Sequence, residues 1–256
     1  MRQSIRLLML SLAVLAVAGT SAGAEVQKPK FGPHAIPIQQ SREYLRTQAA
    51  PDYWAMSPFY IAQMSSSACS LATIATMLNT LRGLPAYSTE KLVTQASLLE
   101  VVGSAEWARK TAPNGEGVTF TEFRQFVELS LKTHGLDADI EIFRPSDASP
   151  ATLAQLRSIL ADNERSADDI VLLYYNQGVV TGDWDGPHLS PLGAYDAERR
   201  RVLIMDVDRE FYGPYWSGDE KLLEAMLRPA PAGQSVLAGE IGGLVRVILR
   251  RKPQLN

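Results

Sequence analysis

Apolar residues recur at helical spacing from Cys69 onward, at Leu71, Ile74, Ala75, Leu78 and Leu81, and Gly83 with Pro85 closes the run. Ser65, Ser66 and Ser67 stand upstream as candidate caps, which puts Cys69 at or just before the first turn of a buried helix. A second helix is expected where Tyr87-Ser88-Thr89-Glu90 leads into Lys91-Leu92-Val93. A third opens at Thr119, with Glu122 at capping-box spacing, and carries Phe123, Phe126, Val127, Leu129 and Leu131 on or near one face. It ends at His134-Gly135, where an imidazole in the last turn favours the helix dipole. Ser149 followed by Pro150 starts a further helix reaching Leu160.

Beyond that point the period changes. Ile170 to Asn176 and His188 to Tyr195 read as strands on either side of a Gly- and Asp-rich loop, 178–186. Asp196 to Arg200 is a polar turn, and Val202 to Val207 is the next strand. Ile140 to Phe143 and a stretch within Leu237 to Leu249 are also strand-like. Residues 25–51 hold Gly32, Pro33 and Pro37 without periodicity, which predicts an extended arm with little chemistry, His34 included. Helices first and a mostly antiparallel sheet afterwards is an α+β order.

The N-terminus has its own pattern. Arg2 and Arg6 precede an apolar run from Leu7 to Ala18, and small residues end in Ala22-Gly23-Ala24. This order predicts a signal peptide over 1–24, one catalytic domain over 25–256, and a periplasmic or secreted product. The apolar run is short of the ~20 residues that span a bilayer, so no stable membrane anchor is expected after cleavage. A net charge of -3 without basic clusters argues against nucleic acid as a partner.

The chain of 256 residues has one cysteine and three histidines. An exported chain usually holds cysteines in pairs, so a lone thiol is either a buried small hydrophobe or a reactive group. A helix N-terminus favours a thiolate. His188, on a strand beside a Gly-rich loop, is placed to act as base and acid. Asp206, near the end of the adjacent strand, can orient the imidazole, its alternative being an ion pair with Arg209. Gln63, six residues before the cysteine, can donate to a developing oxyanion alongside the Cys69 backbone N–H. Glutamine, cysteine, histidine and then an acidic residue is the papain-like order, and it points to a thiol hydrolase or acyltransferase. No His/Cys spacing supports a structural zinc site.

Two segments carry a family resemblance. QMSSSACSLATIATMLN, from Gln63 to Asn79, resembles the nucleophile segment of phytochelatin synthases. GPHLSPLGAYDAERRRVLIMDVDREFYGPYW, from Gly186 to Trp216, is similar to the family's histidine and aspartate segment, with its H-x-S-P-x-G-x-Y core and the D-V-x-R after an apolar strand. A weaker match surrounds Gly117 to Gly135. The resemblance implies a papain-like fold, with a helical N-terminal half bearing the nucleophile and an antiparallel C-terminal half. It implies Cys69 as nucleophile, His188 as acid and base, Asp206 as orienter, Gln63 as oxyanion donor, and Arg209 and Tyr212 as substrate-binding residues. The implied reaction cleaves glutathione through a γ-glutamylcysteinyl thioester, releases glycine, and ends in hydrolysis or in transfer to a second glutathione. Cadmium or zinc would enter as thiolate complexes of glutathione, with no cofactor built into the protein. Small papain-like enzymes of this kind are commonly homodimers. A peptidase or amidase acting on other peptides, and a noncatalytic binding protein, are the alternatives.

The sequence also departs from the family. Ser70 stands where glycine usually follows the cysteine, and the side chain it adds beside the nucleophile could alter the cleft or the acceptor preference. Ala194 and Gly213 replace a glycine and a proline, and Pro187 precedes the histidine. The Cys-rich region of eukaryotic members has no counterpart, so metal sensing through it is not expected.

Overall fold

The structure is a computed structural model and describes residues 28–250. The signal peptide expected over 1–24 lies outside the described residues. In chain order come β1 (Ile36–Pro37), α1 (Glu43–Thr47), α2 (Pro51–Met56), α3 (Cys69–Arg82), α4 (Gln95–Val102), α5 (Ala105–Thr111), α6 (Phe120–Thr133), β2 (Ala138–Phe143) and α7 (Pro150–Asn163). Then follow β3 (Asp169–Asn176), α8 (Gln177–Thr181), β4 (Pro187–Asp196), β5 (Arg201–Ile204), β6 (Tyr215–Gly218), α9 (Asp219–Leu227) and β7 (Gly243–Leu249).

All strand pairs are antiparallel, in the order β1-β6-β5-β4-β3-β7-β2. β3 has a continuous apolar interior, and all of its residues are buried, so it needs cover on both faces. Ile170, Leu172 and Tyr174 share a core with α3 and α6. Val171, Leu173 and Tyr175 face the other way, against Leu156 and Leu160 of α7 and Leu222 and Met226 of α9. The sheet is therefore the middle layer of three, and the expected α+β class is observed. The division into halves is less strict than the sequence order: β1 and β2 come from the N-terminal half, and α7, α8 and α9 interleave with the later strands.

α3 forms the centre of one helical layer, with Ser70 to Asn79 and Leu81 buried. Thr73 Oγ1 donates to the Leu189 carbonyl at 3.2 Å. This bond fixes the helix, one turn after Cys69, to the strand residue following His188. Behind α3, Trp107 stacks on Phe126 at 4.5 Å and 5°, a contact worth about 0.5–1.5 kcal/mol beyond its buried area.

The caps at Thr119 and Ser149 form as expected, the first as a reciprocal box with Glu122. His134 caps α6, its Nδ1 2.8 Å from the Ser130 carbonyl. Other elements differ. The helix expected from Tyr87 starts instead at Gln95, with Thr94 as its cap. Asn79 holds Val93 by both main-chain groups, at 2.8 Å each, and Glu90 turns back to the Ala86 N–H at 3.0 Å, so the intervening chain is spent on side-chain bonds. The arm is not merely extended, since it contains β1 and the short helices α1 and α2. The loop 178–186 begins with α8, capped by Asn176. The strand expected to reach Val207 ends at Ile204.

Candidate active site

Cys69 is the first residue of α3, preceded by Ala68, which has no side chain to cap the helix. The three upstream serines do not serve that end either. Ser65 Oγ donates to the Thr111 carbonyl at 2.8 Å, and Ser67 Oγ to the Gly115 carbonyl at 2.6 Å. The first N–H groups of an α-helix have no intrahelical acceptor. Left uncapped, they and the helix dipole face whatever negative charge develops at Cys69.

β4 delivers His188 to the same cleft as this helix end, and the Cys69 sulfur acts on the imidazole in favour of its cationic form. His188 Nε2 lies 2.9 Å from Asp206 Oδ1, which leaves Nδ1 for the sulfur. With Nε2–H donated to the carboxylate, Nδ1 carries the lone pair that can take the thiol proton. Tyr175, the cross-strand neighbour of His188, sets an edge against the ring at 5.9 Å. Burial alone would depress the imidazole, but the Asp206 carboxylate and the Cys69 sulfur outweigh it and raise His188 to about 10.

Asp206 follows β5 and is fully buried. Burial pushes its carboxyl up, yet His188 and three hydrogen bonds reverse this and hold it below the usual carboxylate range. Oδ1 accepts from the Asp208 N–H at 2.9 Å, and Oδ2 from Gln177 Nε2 at 2.7 Å and Tyr215 Oη at 3.0 Å. Tyr60 Oη donates to the Asp206 carbonyl. Arg209 is not its partner: the guanidinium lies over the Tyr60 ring at 4.8 Å.

The Gln63 N–H donates to the Val207 carbonyl at 2.8 Å, tying the glutamine to the residue after Asp206. Gln95 brackets it, donating to the Ala62 carbonyl at 2.8 Å and accepting from the Met64 N–H at 3.0 Å. Gln63 lines a cleft of about 540 Å³ that also takes in Cys69, His188, Gln177 and Tyr212. Tyr212 Oη donates to Asp183 Oδ2 at 2.7 Å.

The structure therefore brings Gln63, Cys69, His188 and Tyr212 to one cleft, with Asp206 behind the histidine. Arg209, expected beside the substrate, is exposed and does not line it. Ser70 does not alter the cleft, because its Oγ points into the core and accepts from Trp107 Nε1 at 2.9 Å. Sequence reasoning missed Gln177 and Tyr215. The signal for Gln177 was a polar Asn-Gln pair ending an apolar strand.

A cysteine on the first turn of a helix, facing a histidine on an antiparallel sheet with an aspartate just past the next strand, is the papain-like layout. It can add a thiolate to an acyl carbon, protonate a leaving amine, and hold the oxyanion between Gln63 and the helix N-terminus.

Comparison with known proteins gives this site relatives. Glutathione gamma-glutamylcysteinyltransferase 1 of Arabidopsis thaliana is 26% identical over 192 residues, covering 72% of this chain and 35% of the relative. Glutathione gamma-glutamylcysteinyltransferase 3 of Lotus japonicus is 27% identical over 176 residues, covering 68% of this chain and 34% of the relative. The chain thus spans about a third of the length of these curated relatives. Among solved structures, the crystal structure of the Pseudomonas avirulence protein AvrPphB is similar at a TM-score of 0.36 and 14% identity, over 76% of this chain and 100% of that one. The family model for phytochelatin synthase matches residues 38–235, a span that contains Gln63, Cys69, His188 and Asp206, and the chain belongs to the phytochelatin synthase family.

Proposed function

We propose that this protein cleaves the cysteinyl–glycine bond of glutathione, with Cys69 as nucleophile. The observation that carries the reading is the Cys69–His188–Asp206 arrangement at an uncapped helix end, inside a chain of this family. The Cys69 sulfur bonds to the cysteinyl carbonyl carbon, and the oxygen takes up negative charge beside Gln63 and the Cys69 N–H. As the carbonyl reforms, the C–N bond breaks and His188 gives its proton to the departing glycine amine. A γ-glutamylcysteinyl thioester remains.

In the second half, neutral His188 takes a proton from the attacking group as that group bonds to the thioester carbon. Water gives γ-glutamylcysteine, and the α-amine of a second glutathione gives a phytochelatin. The sulfur leaves as thiolate, and the starting state is restored. Asp206 keeps the ring oriented and favours its cationic form throughout, and Tyr212 lines the substrate cleft. Cadmium or zinc enters with the substrate, as a thiolate complex of glutathione. An export signal over 1–24 would place this chemistry in the periplasm or outside the cell.

Product analysis of purified protein with glutathione, with and without cadmium, tests the reading alongside Cys69→Ala. Glycine release accompanied by γ-glutamylcysteine or longer oligomers, and lost in the variant, is the expected result. Undiminished glycine release by Cys69→Ala would remove the mechanism. Cleavage only of peptides lacking a γ-glutamyl group would replace the substrate.

A further inference from the structure

The arrangement at Cys69 explains which bond breaks but not what holds the γ-glutamyl end of the substrate. Among the described residues, the charged side chains lining the cleft besides His188 are Glu116, Asp183, Asp208, Glu210 and one base, Lys30. Lys30 comes from the arm before β1, outside the residues 38–235 matched by the family.

The arm is built into the site. The Gly32 N–H donates to the Thr181 carbonyl at 2.6 Å, and a Cβ at Gly32 would meet that oxygen at 2.8 Å, so only glycine permits the approach. Phe31 packs edge-on against Tyr212 at 5.7 Å and Tyr215 at 5.6 Å. Lys30 Nζ is then fixed 2.6 Å from Asp183 Oδ2, 4.4 Å from the centre of the Tyr212 ring and 4.6 Å from that of Phe211. An ammonium has three donors, and one carboxylate does not exhaust them.

The acidic side chains on the cleft differ in kind. Glu116 is paired with Arg109 at 3.1 Å, and Asp183 with Lys30. Asp208 and Glu210 have no side-chain hydrogen bond or ion pair among the described residues. Asp208 is rigid with respect to the triad, because its N–H is bonded to Asp206 Oδ1; burial pushes its carboxyl up, and His188 and the Lys30 ammonium oppose that rise. A bare carboxylate brought to this wall meets one cation and two unpaired anions. A group carrying an ammonium beside its carboxylate meets partners for both charges.

Building on the glutathione reading, we propose that Lys30 and Asp208 form a subsite for the α-amino acid head of the γ-glutamyl group. Lys30 takes the α-carboxylate and Asp208 the α-ammonium. The arm is thus part of the substrate site, and the glycine carboxylate is held elsewhere.

Three substrates separate the two charges: glutathione, glutaryl-cysteinylglycine, which lacks only the ammonium, and 4-aminobutyryl-cysteinylglycine, which lacks only the α-carboxylate. Lys30→Ala is expected to lower kcat/KM about tenfold on the first two, through KM, and to leave the third unchanged. Asp208→Asn is expected to impair glutathione and the 4-aminobutyryl peptide and to spare the glutaryl peptide. Lys30→Arg should retain most of the activity on glutathione. An equal loss on all three substrates, as displacement of the arm would cause, overturns the subsite, and so does no loss on any. If the unmodified protein releases no glycine from glutathione, the proposed function fails and the subsite with it. If it does release glycine but the crossed pattern is absent, the subsite alone fails.

Discussion

Asp206 and Asp52 are both fully buried, yet their surroundings move their carboxyls in opposite directions. Asp206 receives four donors, one of them from an imidazolium, and is held ionised. Asp52, on α2 beneath the sheet, is pushed well above the carboxylate range by burial and by the nearby Asp169, with Glu164 adding to the rise. Its sole donor among the described residues is Asn163 Nδ2, and Arg246, which opposes the rise, is engaged by Asp169, Asp162 and Glu141. Burial therefore does not decide the charge of a carboxyl; the number and sign of the groups pointed at it do. The region behind His188 spends its polar groups on holding a carboxyl down, and the region around Asp52 leaves its carboxyl to rise.

The largest effect should come from removing the charge that the site is built to keep. Asp206→Asn leaves the volume unchanged but takes away the anion opposite His188 Nε2, and glycine release should fall on the order of 10²–10⁴-fold. The imidazole should drop from about 10 toward its ordinary range, so the alkaline limb of the kcat/KM profile moves to lower pH. Stability follows the same sign. A histidine raised in the folded state contributes stability that is fully present below about 6.5 and is lost as pH rises through about 10. Urea titrations across that window should show the loss in the parent and its shift to lower pH in Asp206→Asn. A variant within threefold of the parent rate would detach Asp206 from catalysis.

Gln63 tests the other wall of the cleft. Its Oε1 is buried without a partner, as Asp52 Oδ1 is, but the residue lines the cleft that also holds Cys69 and His188. Gln63→Ala should lower kcat by about 10²–10³-fold with little change in KM, as expected for a donor used mainly in the transition state. A rise in KM at constant kcat would make Gln63 a ground-state contact instead. Smaller losses, about tenfold each, are expected for Gln177→Ala and Tyr215→Phe, which each remove one donor from Asp206 Oδ2. Both should lower the rate with the alkaline limb left in place, since one donor fewer still leaves the Asp206 carboxylate opposite His188, which distinguishes them from Asp206→Asn.

How much of this was visible in the sequence depends on distance along the chain. Cys69, His188 and Asp206 were legible because each sits at the end of a strongly patterned element. The helix of Cys69 follows from Leu71, Ile74 and Leu78, and the histidine from the strand after a Gly-rich loop. Gln177 was not legible as a partner of Asp206, since it lies 29 residues away in sequence and reaches it only through the β3–β4 and β4–β5 pairings. Arg209 was the nearer candidate in sequence, but the chain turns at Asp208, whose carbonyl accepts from Phe211 and Tyr212, and the guanidinium settles over Tyr60. The direction of Ser70 was hidden for a related reason. It depends on Trp107, in a seven-residue helix too short to show a period.

The smallest effect is expected where the comparison is cleanest, at Asp52. Asn163 Nδ2 donates to Asp52 Oδ2, and the remaining oxygens of both side chains, Asp52 Oδ1 and Asn163 Oδ1, are buried without a partner. Two acceptors left over from one acid–amide pair are satisfied together if the acid keeps its proton and donates it across. Asp52→Asn supplies that second donor permanently, so glutathione cleavage should stay within about twofold of the parent. The sign on stability is fixed by the raised carboxyl. The parent loses stability as pH rises above the ordinary aspartate range, whereas an amide has no proton to lose. Urea titrations of both proteins should therefore show the variant gaining on the parent from about pH 4 upward. A difference that shrinks with rising pH would mean that Asp52 is ionised in the fold, and that burial with a single donor is enough to keep it so.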